Sequence, residues 1–304
     1  MDLLAVNRIE GRTQMEAALQ LIISGIAIGC IYFLVAIEFT LIWNASSLIN
    51  FGHDKFIMLG AYIFAGTFIN LLGCNYFIGA ILAIAIMGLF GALVATGIFN
   101  PLRNMPSDIF AVMGTIMLAK VIGESARLLW GPAPFRVENF MSGNFNLGNI
   151  VIPQAYVYII LLSLLFLFLQ HLLFTKTRIG KAMRCVAQDK TAAALMGINV
   201  SRNIMYTISF SSMVCCVIGI MIIPLFNVDL AMANMIATKG FAAGVVGGFG
   251  TIPGAIVGGV FIGLLENLYL MLGPAIYKDV VAFIAFILFL LIKPDGILGK
   301  RSHR

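Results

Sequence analysis

Glu38 stands in an otherwise apolar run, IGCIYFLVAIEFTLIW, where a carboxylate at mid-span costs roughly 2.5 to 3.5 kcal/mol on insertion scales. It must be protonated, paired or turned toward a polar cavity, which makes it a candidate lining residue of a transport pathway. The competing reading is that it snorkels to an interface marked by Trp43, about 7.5 Å further along the helix. Lys120, Glu124 and Arg127 share one helix face at i, i+4 and i+7, so Lys120 and Glu124 can form an intramembrane ion pair or line a route for a zwitterionic solute. Glu266, in GLLENLYL, reads as an anchor near the outer face. His53 and His171 are too isolated for a metal site, and no Ser/His/Asp, paired-carboxylate or CxxC constellation occupies a polar face. Nothing reads GxxxxGK[ST], so this chain is not expected to hydrolyse ATP. The expectation is a protein with no catalytic residues, metal or cofactor.

The longest polar interruption, TKTRIGKAMRCVAQDKTAAALMGINVSRN over residues 175–203, offers a different chemistry: docking. Apolar residues recur at helical spacing (Ile179, Met183, Val186, then Leu195, Met196, Ile198) among Lys176, Arg178, Lys181, Arg184, Lys190 and Arg202. Gly180 is expected to open this helix and Gly197 to close it, with an alanine-rich middle that permits close approach to a partner.

The elements that position these residues are set by composition. Of 304 residues, 61% are hydrophobic and 11% charged, mean hydropathy is +1.02, and apolar runs of about twenty residues recur. This is an all-α polytopic transmembrane helix bundle, read as one domain over residues 1–304. The net charge of +6 bunches in the 175–203 segment and in the tail LIKPDGILGKRSHR, as positive-inside orientation requires, and this argues against a nucleic-acid partner. Both basic segments are expected in the cytoplasm and the N-terminus outside. The five cysteines read as small apolar fillers, and the N-terminal region carries no cleavable leader pattern.

Eight to nine membrane segments are expected, at roughly 19–43, 56–73, 77–99, 109–130, 155–174, 204–226, 236–249, 253–272 and 279–293. The seventh is short and glycine-rich (Gly240, Gly244, Gly247, Gly248, then Gly250), and TIPG separates it from a run marked by Gly254, Gly258, Gly259 and Gly263. This predicts a helix break around Pro253, with close helix packing and a pathway lining as the two readings of the glycines. In the first half SSLINFGHDKFIMLGAYIFAG, with Asn50, His53, Asp54 and Lys55 before a small-residue-punctuated helix, offers a partial counterpart.

Three stretches, RIGKAMRCVAQDKTAAALMGINV, KGFAAGVVGGFGTIPGAIVGGVFIGLLENL and YKDVVAFIAFILFLLIKPDGILG, resemble in order and spacing the permease subunits of branched-chain amino-acid ABC importers. INFGHDKFIMLGAY and NPLRNMPSD fit the same family, and the resemblance runs from about residue 19 to 299. It implies a bacterial inner-membrane subunit forming half of a translocation pathway in the lipid bilayer and working by alternating access. Its partners would be a second permease subunit, two cytoplasmic ATPase subunits and an extracytoplasmic solute-binding protein. The family's ATPase-coupling motif carries over to Arg178, Gly180, Arg184, Asp189 and Gly197, and Ala187 of the alanine-rich middle joins the expected coupling residues. The pathway residues expected from the residues themselves are Glu38, Asn50, His53, Gly244, Gly247, Gly248, Gly250, Pro253 and Gly254, and the family commonly shows glycines in the first span where this chain has Glu38 and Asn44. Where the family commonly has NFAHGD or NFAQGE this chain has NFGHDK, placing Lys55 at the usual acidic position. An ion- or proton-coupled secondary transporter and a passive channel or membrane scaffold are the competing functions.

Overall fold

The computed structural model describes residues 3–299 apart from 104, 106, 139, 148–149 and 294; Lys300, Arg301 and Arg304 of the basic tail lie outside the described residues. In chain order α1 (Leu3–Ser46) is followed by α2 (His53–Ala61), which continues as a π-helix through Tyr62–Leu71. Next, α3 (Tyr76–Val94) passes through a π-helical stretch, Ala95–Phe99, into α4 (Asn100–Arg103), and α5 (Asp108–Trp130) follows. A hairpin of β1 (Asn144–Leu147) and β2 (Ile150–Pro153) leads to α6 (Gln154–Lys176), α7 (Arg178–Gln188) and α8 (Lys190–Leu195). The chain completes α9 (Val200–Ile222), α10 (Asn234–Gly247), α11 (Ile252–Tyr269) and, after a 3₁₀ turn at Ala275–Tyr277, α12 (Lys278–Ile292).

Seven of the described helices are long and apolar enough to cross a bilayer, and in that solvent a helix is the only open chain form that satisfies its own backbone. The two remaining apolar segments are α2 with its π-helical extension and α10, whose 14 residues rise about 21 Å, short of a hydrocarbon core of about 30 Å. Helix starts carry side-chain caps: Asn75 accepts from Phe77 N, Ser107 from Ile109 N and Asn199 from Arg202 N, each satisfying an orphan amide of the first turn.

α1 runs through the middle of the bundle, in contact with α6, α9, α10 and α11, and residues 30–37 of it are buried without interruption. Lipid tails are as apolar as leucine, so close backbone approach rather than hydrophobic exclusion drives such contacts. A side chain on Gly259 would overlap Phe33, and one on Gly263 would overlap Gly29. The expected break around Pro253 is present and is a reversal: α10 and α11 lie against each other so closely that a Cβ on Gly258 would overlap the Ala243 carbonyl oxygen. Between them Gly248 takes φ +117°, a backbone state that side chains resist.

Two ends can be told apart. At one, Asn44 Nδ2 donates to the Gly250 carbonyl oxygen at 3.1 Å, Lys190 Nζ donates to Ser47 Oγ at 2.6 Å, and Ile297 N and Leu298 N donate to the Val246 and Gly247 carbonyl oxygens. This is the basic end. At the opposite end Gln20 Nε2 donates to the Val151 carbonyl oxygen, Trp130 Nε1 donates to Thr67 Oγ1, and Phe135 and Val228 exchange two backbone hydrogen bonds.

Candidate functional site

Two helices begin inside the bundle rather than at its ends. α1 stops at the basic end, where Ser46 Oγ donates to the Ile42 carbonyl oxygen and accepts from Leu48 N. By His53 the chain has climbed to Cys215 of α9, the His53 Nε2 to Cys215 Sγ distance being 3.5 Å, and Cys215 lies about 22 Å along α9 from Val200. α10 likewise starts at Asn234, about 21 Å before its turn at the basic end, after residues 223–233 have descended from the opposite end. The first turns meet: Lys55 Nζ donates to the Leu230 carbonyl oxygen at 2.9 Å and to Asn234 Oδ1 at 3.1 Å, and forms an ion pair with Asp54 at 3.1 Å. Lys55 therefore serves as the staple between the two starts.

A cavity of about 370 Å³ opens at this junction, lined by Phe39, Ile49, Phe51, His53, Asp54, Asn234, Ala237, Thr238 and Phe241. One wall is aromatic: Phe39 stacks on His53 at 4.4 Å between ring centroids and meets Phe241 edge-on at 5.4 Å. His53 is buried and its Nδ1 has no hydrogen-bond partner among the described residues. Asn50 lies just before, its Oδ1 accepting from Gly52 N at 3.0 Å and its Nδ2 unpartnered. The N-terminal ends of α2 and α10 bring two positive dipole ends to one polar spot with an apolar wall, the arrangement that receives an anionic group attached to an apolar body.

Glu38 is neither on this cavity nor at an interface. It is 0% exposed and accepts a hydrogen bond from Gln170 Nε2 of α6 at 2.5 Å. Ser211 of α9 lies beside the same carboxyl, yet neither its hydroxyl nor Glu38 Oε2 closes a hydrogen bond of good geometry. A partner on α6, remote in sequence, thus holds one oxygen of the carboxyl inside the bundle without snorkelling.

A second buried cluster goes beyond the sequence expectation. Lys239 Nζ of α10 donates to Glu266 Oε1 at 2.7 Å and to Asp279 Oδ1 at 2.5 Å. Tyr32 OH donates to Glu266 Oε2 at 2.9 Å, and Lys278 stands 3.6 Å from Glu266. Glu266 is therefore an internal anchor joining α1, α10, α11 and α12. Lys239 interrupts the apolar run IATKGFAAG, and an isolated cation there is itself a sign of a buried acidic partner.

The 178–197 region is two helices rather than one. Thr177 Oγ1 accepts from Gly180 N at 3.0 Å to cap α7, and Asp189, at φ −154° and ψ 113°, breaks the chain and caps α8 by accepting from Thr191 N and Ala192 N. Gly180 does not open the helix; it is buried where a Cβ would overlap the Leu173 carbonyl oxygen. Gly197, at φ +83°, does end α8. Met183 and Val186 face inward, whereas Leu195 and Met196 are 84% and 83% exposed. Arg178, Arg184 and Ala187 are exposed on the same segment, with Arg184 and Ala187 bordering a crevice against Asn44 and Ile252. Burial first, and the Arg103 guanidinium second, hold the Lys190 pKa below its ordinary value.

The expected pathway glycines Gly244, Gly247, Gly248, Gly250 and Gly254, with Pro253, gather at the basic-end turn. Gly247 and Gly254 touch each other, Gly248 meets Gly299, and Gly244 faces Ala36, while Pro253 lies in the first turn of α11. Close backbone packing demands glycine at Gly247, Gly248 and Gly254, and a φ of +90° favours it at Gly250. Lys120 and Glu124 are not an ion pair: Glu124 lies 3.5 Å from Arg127 instead, at 67% side-chain exposure, because i+3 brings the longer guanidinium within reach. Both Lys120 and Glu124 point out of the bundle, on the helix whose Gly123 faces Lys55.

Known proteins are similar to this chain along most of its length. The chain is 29% identical over 297 residues to the high-affinity branched-chain amino acid transport system permease protein LivH of Escherichia coli, covering 93% of this chain and 96% of that one. It is 30% identical over 299 residues to the corresponding permease protein BraD of Pseudomonas aeruginosa, with the same coverage. It is 30% identical over 284 residues to a probable branched-chain amino acid transport permease protein LivH of Methanocaldococcus jannaschii, covering 88% of each. Residues 21–290 match the model of one family, and with every helix described above inside or bordering that range, the chain belongs to the branched-chain amino acid transport system permease component family.

Proposed function

We propose that this chain imports branched-chain or related small amino acids as one membrane subunit of an ATP-driven transporter that works by alternating access. The carrying observation is the cavity at the joined starts of α2 and α10. The positive ends of the two helices beside Lys55 suit a carboxylate, Asp54 suits an ammonium, and Phe39, Ile49, Phe51 and Phe241 suit a branched apolar side chain. The names of the relatives point to the same solutes.

Energy enters from two ATPase subunits that dock on α7 and α8. Exposed Leu195 and Met196 support this, since two large apolar side chains in water mark a protein contact more than a lipid-headgroup one. The basic end then faces the cytoplasm of a bacterial cell, by its charge. A second permease subunit covers the face bearing Lys120 and Glu124, because charges within a span turn to protein or water rather than lipid. A solute-binding protein delivers the amino acid at the opposite end.

The test is to reconstitute the chain with the ATPase, second permease and binding protein of its own genome and to follow labelled leucine, isoleucine and valine. ATP-dependent accumulation is expected. Uptake driven by a proton or sodium gradient without ATP would replace this reading with a secondary transporter.

A further inference from the structure

The Glu38–Gln170 hydrogen bond occupies a special position between the docking segment and the cavity. α6 joins α7 through one extended residue, Thr177, and Gly180 of α7 packs on the Leu173 carbonyl oxygen of α6, so the two helices are braced against each other at that joint. The buried side chains of α6 are Ala155, Ile159, Ser163, Gln170 and Phe174. Gln170, 4% exposed, makes the one side-chain hydrogen bond among the described residues that ties α6 to α1. On α1 the residue after Glu38 is Phe39, stacked on His53 and edge-on to Phe241 in the cavity wall. A line of contacts therefore runs from the cap of α7, up α6 to Gln170, across to Glu38, and on to the aromatic wall.

Apolar contacts between membrane helices resist sliding weakly, because one leucine neighbour, or a lipid tail, replaces another at little cost. A buried amide–carboxyl hydrogen bond behaves differently. Sliding α6 past α1 would strand both groups where no water can receive them. We propose that Glu38 and Gln170 are the coupling tie that makes α1, and with it Phe39 and His53, follow displacements of the α6–α7 unit. The role is that of a positioning pair, acting through Phe39 on the cavity and touching no substrate, and it rests on the importer reading above.

The experiment uses the whole transporter in liposomes and measures amino acid moved per ATP hydrolysed, together with assembly and thermal stability. E38L and Q170L each remove the tie and should lower that ratio at least about fivefold, the scale of one buried hydrogen bond, while hydrolysis continues. The double variant should be no worse than either single one, since the pair acts as a unit. E38Q keeps a carbonyl acceptor for Gln170 and should stay within about twofold of the parent ratio. An unchanged ratio in E38L and Q170L overturns the proposal, as does an E38Q variant as uncoupled as E38L, which would assign the role to the charge. If the leucine variants fail to assemble, the exchange E38Q/Q170E, which retains one carboxyl and one amide, must couple normally or the proposal falls. Absence of ATP-dependent uptake in the parent complex would overturn the importer reading instead, so the two failures are distinct.

Discussion

Lys55 Nζ lies 3.1 Å from Asn234 Oδ1, so one ammonium fastens the start of α2 to the start of α10. Substituting Lys55→Met keeps the length of the side chain and removes the donor. The two helix starts should separate, raising the KM for uptake about tenfold, a step on the scale of a charged hydrogen bond. Initial-rate uptake across a range of amino acid concentrations checks this, and an unchanged KM would show that the starts are held by packing alone.

Exposed Leu195 and Met196 should carry docking energy. A Leu195→Asp/Met196→Asp double variant is expected to insert normally and lose most of its bound ATPase, at about 1–2 kcal/mol or more per buried anchor. Copurification of the ATPase with the tagged permease is the measurement.

Ala187 and Ala193 should respond differently to a bulky residue. Ala187→Trp, on the exposed side of α7, should leave the fold intact and reduce uptake per ATP. Ala193 is buried, so Ala193→Trp should lower thermal stability, with overpacking costing about 1–3 kcal/mol. Equal melting temperatures for the two variants would contradict the two-helix arrangement.

Removing the Lys239 ammonium leaves Glu266 buried beside Asp279. Lys239→Met should destabilise the bundle by about 3–5 kcal/mol, as expected when one partner of a buried ion pair is lost. Adding Glu266→Gln should restore part of it. Thermal unfolding in detergent, compared across the single and double variants, reads the recovery.

Lys120 on the outward face of α5 should meet the second permease subunit. A Lys120→Cys variant is expected to cross-link within the assembled transporter and to remain unlabelled by lipid-soluble maleimides there. Strong labelling from the lipid phase would place the subunit contact elsewhere.

Much of the architecture is visible in the residues because a bilayer permits few solutions. Each apolar run of about twenty residues becomes a helix, and the break around Pro253 follows from its proline and flanking glycines. Depth is less visible. Nothing in LINFGHDK distinguishes a surface loop from a segment that re-enters the bundle, and the level of His53 emerges only from its contact with Cys215. Glu38 and Gln170 are 132 positions apart, and periodicity within one helix carries no information about such a partner. Two signals were present in the residues themselves: Lys239 in an apolar run, and Asp189 ahead of a short alanine-rich stretch, a helix-start pattern that divides the docking segment.

The backbone bonds from Ile297 and Leu298 to Val246 and Gly247 bear on how the protein is made. Those carbonyls end α10, and their amide partners reach them only after α11 and α12 have been threaded into the bilayer. Until then the α10–α11 hairpin has an open terminus, and the cavity that α10 helps to shape is incompletely braced. Closure of the α10 terminus is thereby tied to placement of the last helix, so the end of the chain completes a helix laid down about fifty residues earlier.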